Sequence, residues 1–267
     1  MLKKTIEAKK IISNYEKVLI AFSGGVDSLF LLKLAVETLG CERVLAVTVK
    51  SPLSISDEVQ RSAELSSIFR VEHKIVELNE LTVKQVANNL IDRCYHCKKF
   101  RYEKLLEISH AQGCGVVLDG TNYSDINDYR PGLQACEELG IISPLKHAEF
   151  TKSQIRELLR AEGFSQWNLP SRACLASRIA YGNQITLDLL QRVSSAEDFL
   201  NKKGFTDQRV RVHGDIARIE LPQKDIMLLL KKEQLLSEIV SKLKGYGFKF
   251  VTIDLEGLRS GSLNPDR

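Results

Sequence analysis

Val18-Leu-Ile-Ala-Phe-Ser-Gly-Gly-Val-Asp-Ser-Leu-Phe-Leu-Leu32 decides how this chain is read. Val18 to Phe22 is a short apolar run, β-branched at Val18 and Ile20, as buried parallel strands are. Ser23-Gly-Gly-Val-Asp-Ser28 follows without a spacer. Leu29 to Leu39 then places Leu31, Leu32, Ala35, Val36 and Leu39 at helical spacing. A strand, a glycine turn and a helix in succession set backbone N–H groups and a helix N-terminus at the C-terminal end of a strand, which makes an anion site. The glycines let backbone approach a phosphate with no Cβ in the way. Ser23 and Ser28 add hydroxyl donors. Asp27 is uncomfortable against a bare phosphate and points to a bridging Mg²⁺. The lysine of a Walker A loop is absent, so that motif is excluded.

Ser23-Gly-Gly-Val-Asp-Ser28 resembles the PP-loop signature of the ATP pyrophosphatase superfamily. The resemblance implies an enzyme that splits ATP between its α and β phosphates and activates a substrate by adenylation. It places Ala21, Phe22, Ser23, Gly24, Gly25, Asp27 and Ser28 around the nucleotide.

The chain of 267 residues, 43% of them hydrophobic, is long enough for one large or two modest cores. A formal charge of +4 is too mild to argue for nucleic acid and suits small anionic ligands. No apolar run reaches membrane-spanning length. Met1-Leu-Lys-Lys-Thr begins an amphipathic helix rather than a signal peptide. A cytoplasmic protein with no membrane partner is therefore expected. Six cysteines in such a chain ask about metal or sulfur chemistry before disulfides.

Strand and helix alternate on both sides of the loop. Residues 2–15 read as a helix, and 43–49, 71–78 and 115–120 as further strands, with 141–145 a short last strand. A helix capped by Ser56 runs to about Phe69. Residues 81–90 and 98–112 read as helices with 93–97 interrupting. Thr151 with Gln154 makes a capping box for a helix ending near Gly163. The pattern predicts an α/β domain over residues 1–165, a doubly wound, mostly parallel sheet. Ligands bind such sheets beyond the strand C-termini, where Ser23, Thr48, Asp119 and Gly120 fall. Residues 166–185 read as an ordered interlobe loop of the kind that carries function. Residues 186–267 change to α-β-β-α-β. That predicts a smaller α+β lobe with an antiparallel sheet, hairpin-joined at His213-Gly-Asp215, and one long helix from Pro222 to about Lys244. An exposed edge there would suit a homo-oligomer.

Cys94 and Cys97 form a C-x-x-C at the start of a helix, where thiol pKa falls and ligation or nucleophilicity is favoured. Cys174 sits in the interlobe loop among Ser171, Arg172, Ser177 and Arg178. The three thiolates Cys94, Cys97 and Cys174 would suit a [4Fe–4S] cluster with one iron left open. A zinc or redox-inert C-x-x-C stays as the alternative, though no second C-x-x-C completes a closed zinc site. Cys41, Cys114 and Cys136 read as small core residues. Asp125, Asn127, Asp128 and Arg130 would bind Mg²⁺, orient substrate, or form a solvated loop of Asx-turns. Glu197 would face Cys174 from the following helix or lie on the surface. Arg209 and Arg211 share one strand face, with Val210 and Val212 on the other. Two guanidiniums side by side fit a phosphate or carboxylate, or line a solvated face. His73, His110 and His147 read as surface residues.

Beyond the loop, the sequence resembles the LarE family, sulfur transferases of nickel-pincer nucleotide biosynthesis. Ala21-Phe-Ser-Gly-Gly-Val-Asp-Ser28, Leu118-Asp-Gly120, Asn127-Asp-Tyr-Arg-Pro-Gly132, Ser177-Arg178, Tyr181-Gly182, Arg209-Val-Arg211, Ala217-Arg-Ile-Glu-Leu-Pro222 and Arg259-Ser-Gly261 carry the likeness across nearly the whole chain. The resemblance implies ATP-dependent adenylation of a carboxylate on a pyridinium mononucleotide, then its conversion to a thiocarboxylate. It implies substrate contacts at Asp128, Arg130, Ser177, Arg178, Glu197, Arg209 and Arg211. One branch of the family uses a single cysteine, at the position of Cys174, that surrenders its sulfur and becomes dehydroalanine. Another uses three cysteines around an iron–sulfur cluster, fed by sulfide or another sulfur donor. Cys94 and Cys97 beside Cys174 favour the cluster branch. Other readings of a PP-loop chain are tRNA thiolation, which calls for a basic face, an amide-forming ligase, which needs no cysteines, and an AMP-sensing module without turnover.

Overall fold

The computed structural model describes residues 1–55, 57–127 (Asn127 by its backbone alone), 131–170, 173–259 and 262–263. Two compact units make up the chain. The first is Met1–Ser51, Asp57–Val83 and Asp92–Ser171; the second is Pro52–Ser56, Lys84–Ile91 and Arg172–Arg267. Two short stretches inside the N-terminal half thus belong to the second unit.

The first unit opens with α1 (Leu2–Ile12), β1 (Val18–Ala21), α2 (Val26–Leu39), β2 (Val44–Lys50), α3 (Glu58–Ile68) and β3 (Glu72–Glu77). After α4 (Lys84–Ala87), which belongs to the second unit, come α5 (Arg93–Ala111), β4 (Val116–Leu118), α6 (Gly132–Glu138), α7 (Pro144–His147) and α8 (Lys152–Ala161). The sheet runs β3-β2-β1-β4 with every pairing parallel. Strands β1 and β2 read as unbroken apolar runs because both faces are covered. Ile20, Phe22 and Ala46 pack with α1, α2 and α8 on one side; Leu19, Leu45 and Val117 pack with α5 on the other. The chain reverses its winding between β1 and β4, so the switch point lies at their C-terminal ends.

The second unit continues with α9 (Leu187–Lys202), β5 (Arg209–His213), β6 (Ile216–Glu220), α10 (Gln223–Leu230), α11 (Glu233–Gly245) and β7 (Phe250–Ile253). Its sheet runs β5-β6-β7.

Several expected elements differ. Residues 141–145 give one parallel bridge, Leu118 to Ile142, because Pro144 opens α7 instead. The helix expected over 81–90 breaks into a 3-10 turn, Glu80–Thr82, and the short α4, and Asn89 turns the chain at φ +54°. The C-x-x-C does not interrupt: Cys94 and Cys97 lie in the first turns of α5. Asp57 caps α3, and Ser56 lies outside the described residues. The long C-terminal helix divides at Lys232 into α10 and α11. The antiparallel expectation holds for β5–β6 and fails for β6–β7, which is parallel. The two helices form the crossover that a parallel return needs.

Candidate active site

Phe22 extends β1 by donating its N–H to Val47 O at 2.8 Å. The chain then turns at Gly24, whose φ of +66° suits glycine, and whose missing Cβ would lie 3.1 Å from Ser62 N on α3. Gly25 caps α2, so the unpaired first-turn N–H groups of that helix open beside the loop. Ser23 Oγ stands 3.2 Å from Ser28 Oγ, and Ser28 Oγ donates to Gly25 O at 3.1 Å. Gly120 closes the site from β4. A Cβ there would lie 2.8 Å from Ser28 N and 3.1 Å from Asp27 C. The two loops of the switch point therefore touch backbone to backbone.

Asp119, 3% exposed, anchors that contact. Its carboxylate accepts from Ser143 Oγ at 2.6 Å, Thr121 Oγ1 at 2.7 Å and Tyr102 Oη at 3.0 Å, with Lys98 Nζ at 3.6 Å. Burial pushes its pKa up, but Lys98, Ser143 and Thr121 outweigh it and hold the group below the usual carboxylate range. Asp119 is thus a buried anion fixing the turn that carries Gly120.

Asp27 meets Lys152 Nζ at 2.8 Å. Burial raises its pKa against the pull of Lys152. Its other oxygen, Oδ1, is buried with no hydrogen-bond partner. A buried carboxylate oxygen lacking a donor, one turn from an anion loop, fits a hard cation such as Mg²⁺. Asp125 nearby accepts from Asn122 N–H at 3.1 Å. Asp128 and Arg130 lie outside the described residues.

Thr48 is buried at the end of β2 and gives its hydroxyl proton to Phe22 O at 2.7 Å. Its oxygen must therefore accept from His73 Nε2 at 2.8 Å, which sets the tautomer of that ring. Burial lowers the His73 pKa and keeps it neutral. His73 is half-buried beside Phe22 rather than a surface residue; His110 and His147 are exposed as expected.

Cys94 and Cys97, three residues apart on α5, share a helix face and are half-buried. Cys174 is half-buried in the second unit, where it caps the 3-10 turn Leu175–Arg178. Among the described residues no group of three or more His, Cys, Asp or Glu is gathered to hold a metal ion. Cys114 and Cys136 are core residues, with thiols pushed up by burial; Cys41 is only half-buried.

In the second unit Arg178 is 1% exposed and spends its guanidinium inside the fold. It clasps Glu197 through two bonds of 2.9 Å and donates to Ala173 O at 2.6 Å, Ser177 Oγ at 3.0 Å and Cys174 O at 3.2 Å. Glu197 also accepts from Val210 N–H at 2.9 Å. Arg211 pairs with buried Glu220 at 3.0 Å and donates to Ser177 O at 2.7 Å. Burial, then the neighbouring Arg178, pushes the Arg209 pKa down to about 10. Leu175, Arg178, Glu197, Gln208 and Arg209 line a small cleft.

Comparison with known proteins follows this geometry. Residues 1–124 match the NAD synthase family model. An uncharacterized protein of Synechocystis is 37% identical over 99% of this chain and 98% of its own, and one of Methanocaldococcus jannaschii is 33% identical over 97% and 98%. The pyridinium-3,5-bisthiocarboxylic acid mononucleotide synthase of Lactiplantibacillus plantarum is 38% identical over 95% of this chain and 91% of that enzyme. The chain belongs to the LarE family.

Three residues near this LarE-type site carried no local sequence signal of their role. Lys152 reaches Asp27 across 125 positions. Arg61 of α3 donates from Nε to Gly24 O at 3.1 Å, while its Nη1 pairs with Asp57 at 2.9 Å. Lys98 was visible only as the residue after Cys97, and reaches Asp119 where Gly132 leaves room: a Cβ at 132 would stand 2.8 Å from Lys98 Cδ. A lysine at the first position of a capping-box helix was the one available hint for Lys152.

Proposed function

We propose that the chain is an ATP-dependent sulfurtransferase that adenylates a carboxylate of a pyridinium mononucleotide and converts it to a thiocarboxylate for nickel-pincer cofactor synthesis. The observation that carries this reading is the 38% identity to the Lactiplantibacillus plantarum synthase, which spans both compact units and not the anion loop alone.

In the first step the loop from Ser23 to Ser28 and the N-terminus of α2 hold the β and γ phosphates. Mg²⁺ bound at Asp27 would neutralise phosphate charge. A substrate carboxylate oxygen attacks the α phosphorus, the bond to the β-phosphate oxygen breaks, and pyrophosphate leaves. Ala21, Phe22 and Thr48 would border the nucleoside at the strand ends, and Gly120, fixed by Asp119, keeps the loop seated. Ser177, Arg178, Glu197, Arg209 and Arg211 shape the substrate site, with Asp128 and Arg130 proposed alongside them.

In the second step a sulfur nucleophile displaces AMP from the acyl-adenylate. Cys94, Cys97 and Cys174 are proposed to carry this sulfur, as the ligands of a [4Fe–4S] cluster supplied by sulfide or another donor. The shared helix face of Cys94 and Cys97 supports two of those three ligands. The second reading assigns the sulfur to Cys174 itself. Its Sγ attacks the acyl carbon, AMP leaves, and β-elimination with loss of the Cα proton leaves dehydroalanine and the thiocarboxylate. The formal charge of +4 gives no support to an RNA substrate.

No helix of the described residues is long and apolar enough to cross a membrane, which is compatible with the cytoplasmic placement proposed here. Phe250, 61% exposed on the terminal strand β7, supports the proposed homo-oligomer.

The test is iron and acid-labile sulfide on anaerobically reconstituted protein, with Cys94→Ala beside it and pyrophosphate release measured throughout. About four irons per chain, lost in Cys94→Ala together with multiple turnover, support the cluster. Unchanged iron and turnover in that variant would refute it. A mass loss of one sulfur at Cys174 after a single turnover would establish the second reading.

A further inference from the structure

The loop that carries Cys174 is gripped by chain far away in sequence but inside the same compact unit. Leu175 donates its N–H to Leu53 O at 3.0 Å, and Ile185 donates to Ala87 O at 2.7 Å. Asn89 makes the most concentrated set of contacts. Its side-chain Nδ2 donates to Ala180 O at 2.7 Å and to Ile179 O at 3.2 Å. Its own backbone carbonyl accepts from Gly182 N–H at 3.0 Å. The residue is fully buried and sits at φ +54°, a conformation that asparagine tolerates better than most side chains.

These bonds fix the rear of the loop, while Arg178 fixes the front through Ala173 O and Cys174 O. Ile179, between them, bridges to Val212 on β5. The stretch from Ala173 to Gly182 is therefore held at both ends and in the middle. A carboxamide suits this place because one nitrogen carries two protons for two consecutive carbonyls. An unpaired buried carbonyl is costly, so the loop would leave this register if the donor were removed.

We propose that Asn89 is a positioning residue for sulfur transfer, holding the Cys174 loop in its working register without touching substrate. The proposal rests on the reading above that Cys174 carries the sulfur. Asn89→Asp keeps the shape and the tolerance of positive φ but points an oxygen at both carbonyls. Asn89→Gly keeps the backbone and its bond from Gly182 and deletes only the carboxamide; it is the milder variant should the aspartate fail to fold.

The experiment measures substrate-dependent ATP–pyrophosphate exchange, thiocarboxylate formation, and the rate of Cys174 alkylation by iodoacetamide followed by peptide mass mapping. A thermal melt confirms folding. In both variants, or in Asn89→Gly alone if the aspartate does not fold, we expect exchange and the KM for ATP within twofold of wild type. Thiocarboxylate formation falls at least tenfold, and Cys174 alkylates at least threefold faster. Thiocarboxylate formation within twofold of wild type in folded Asn89→Gly overturns the proposal. So does a parallel loss of exchange, which would mark a general folding role. Retained thiocarboxylate formation in Cys174→Ala would instead overturn the reading of Cys174 itself.

Discussion

Gly120→Ala probes the contact on which the nucleotide site rests. The added Cβ would stand 2.8 Å from Ser28 N and 3.1 Å from both Asp27 C and Ser28 Cα. Favourable contact begins near 3.5 Å, so something must move by roughly 0.7 Å. No flexible side chain can absorb this, because all three atoms are backbone on the first turn of α2. That helix is locked by Leu29, Phe30, Leu31 and Leu32, all buried. Overpacking of this kind costs about 1–3 kcal/mol. At about 2–4 °C per kcal/mol for a domain of this size, the melting temperature should fall by about 2–12 °C. The displacement falls on Ser23 to Ser28 or on Asp119, and a shift near 1 Å at a reacting centre costs up to about a hundredfold. We therefore expect kcat/KM for ATP, read by pyrophosphate release, to fall about tenfold to a hundredfold. Gly140→Ala is the control. Gly140 sits at φ +66° with nothing within 4 Å of its absent Cβ, so alanine there brings backbone strain of about 1–2 kcal/mol and no steric contact. It should lower the melting temperature and leave kcat/KM for ATP unchanged. A Gly120→Ala enzyme with wild-type melting temperature and wild-type kcat/KM would refute the close packing of β4 on α2.

Two further perturbations test the same unit. Burial raises the Asp27 pKa and Lys152 opposes it, so Lys152→Met removes a term favouring the charged form. The acid limb of kcat/KM for ATP should then move to higher pH, and a pH–rate profile with an unmoved limb would count against Asp27 as the ionising group. Thr151→Ala breaks the capping box of α8 and should cost about 1 kcal/mol, visible as a melting temperature lower by about 2–4 °C, while Thr151→Ser retains the cap.

The nucleotide fold was legible because its signals are local. Val18 to Phe22, the glycine turn and the helical leucines fall within a few residues of one another, and the capping box of Thr151 and Gln154 is read over four positions. What escaped depends on contacts between distant positions. Asp27 announces a carboxylate, but nothing local announces that Lys152 reaches it. His73 sits on a strand whose burial pattern is mixed, so its half-buried place against Thr48 had no periodic signature. The parallel pairing of β7 follows from the break at Lys232, which a run of helix-forming residues conceals. Asn89 lay inside an expected helix, and its positive φ appears only once the loop around Ile179 folds onto it.

The arginines of the second unit show how one residue type divides its labour. Arg211 and Arg218 stand directly opposite each other on β5 and β6, a like-charged pair that would repel. Glu220, fully buried, answers both, at 3.0 Å and 2.9 Å. Glu197 does the same for Arg178. Each of these carboxylates lies inside the fold, so removing one would strand a buried cation, a far larger penalty than the pair's net contribution to stability. Arg178 and Arg211 are thereby committed to shape. Arg209 differs: burial and the two neighbouring guanidiniums pull its pKa down to about 10, against partial relief from Glu197 and Asp207. A guanidinium stays protonated at that value, so the depression measures how strongly its surroundings would welcome negative charge. On the proposed reading the phosphate or carboxylate of the nucleotide substrate supplies it. The two neutralised arginines then act as the fixed frame that keeps Arg209 in place to receive it.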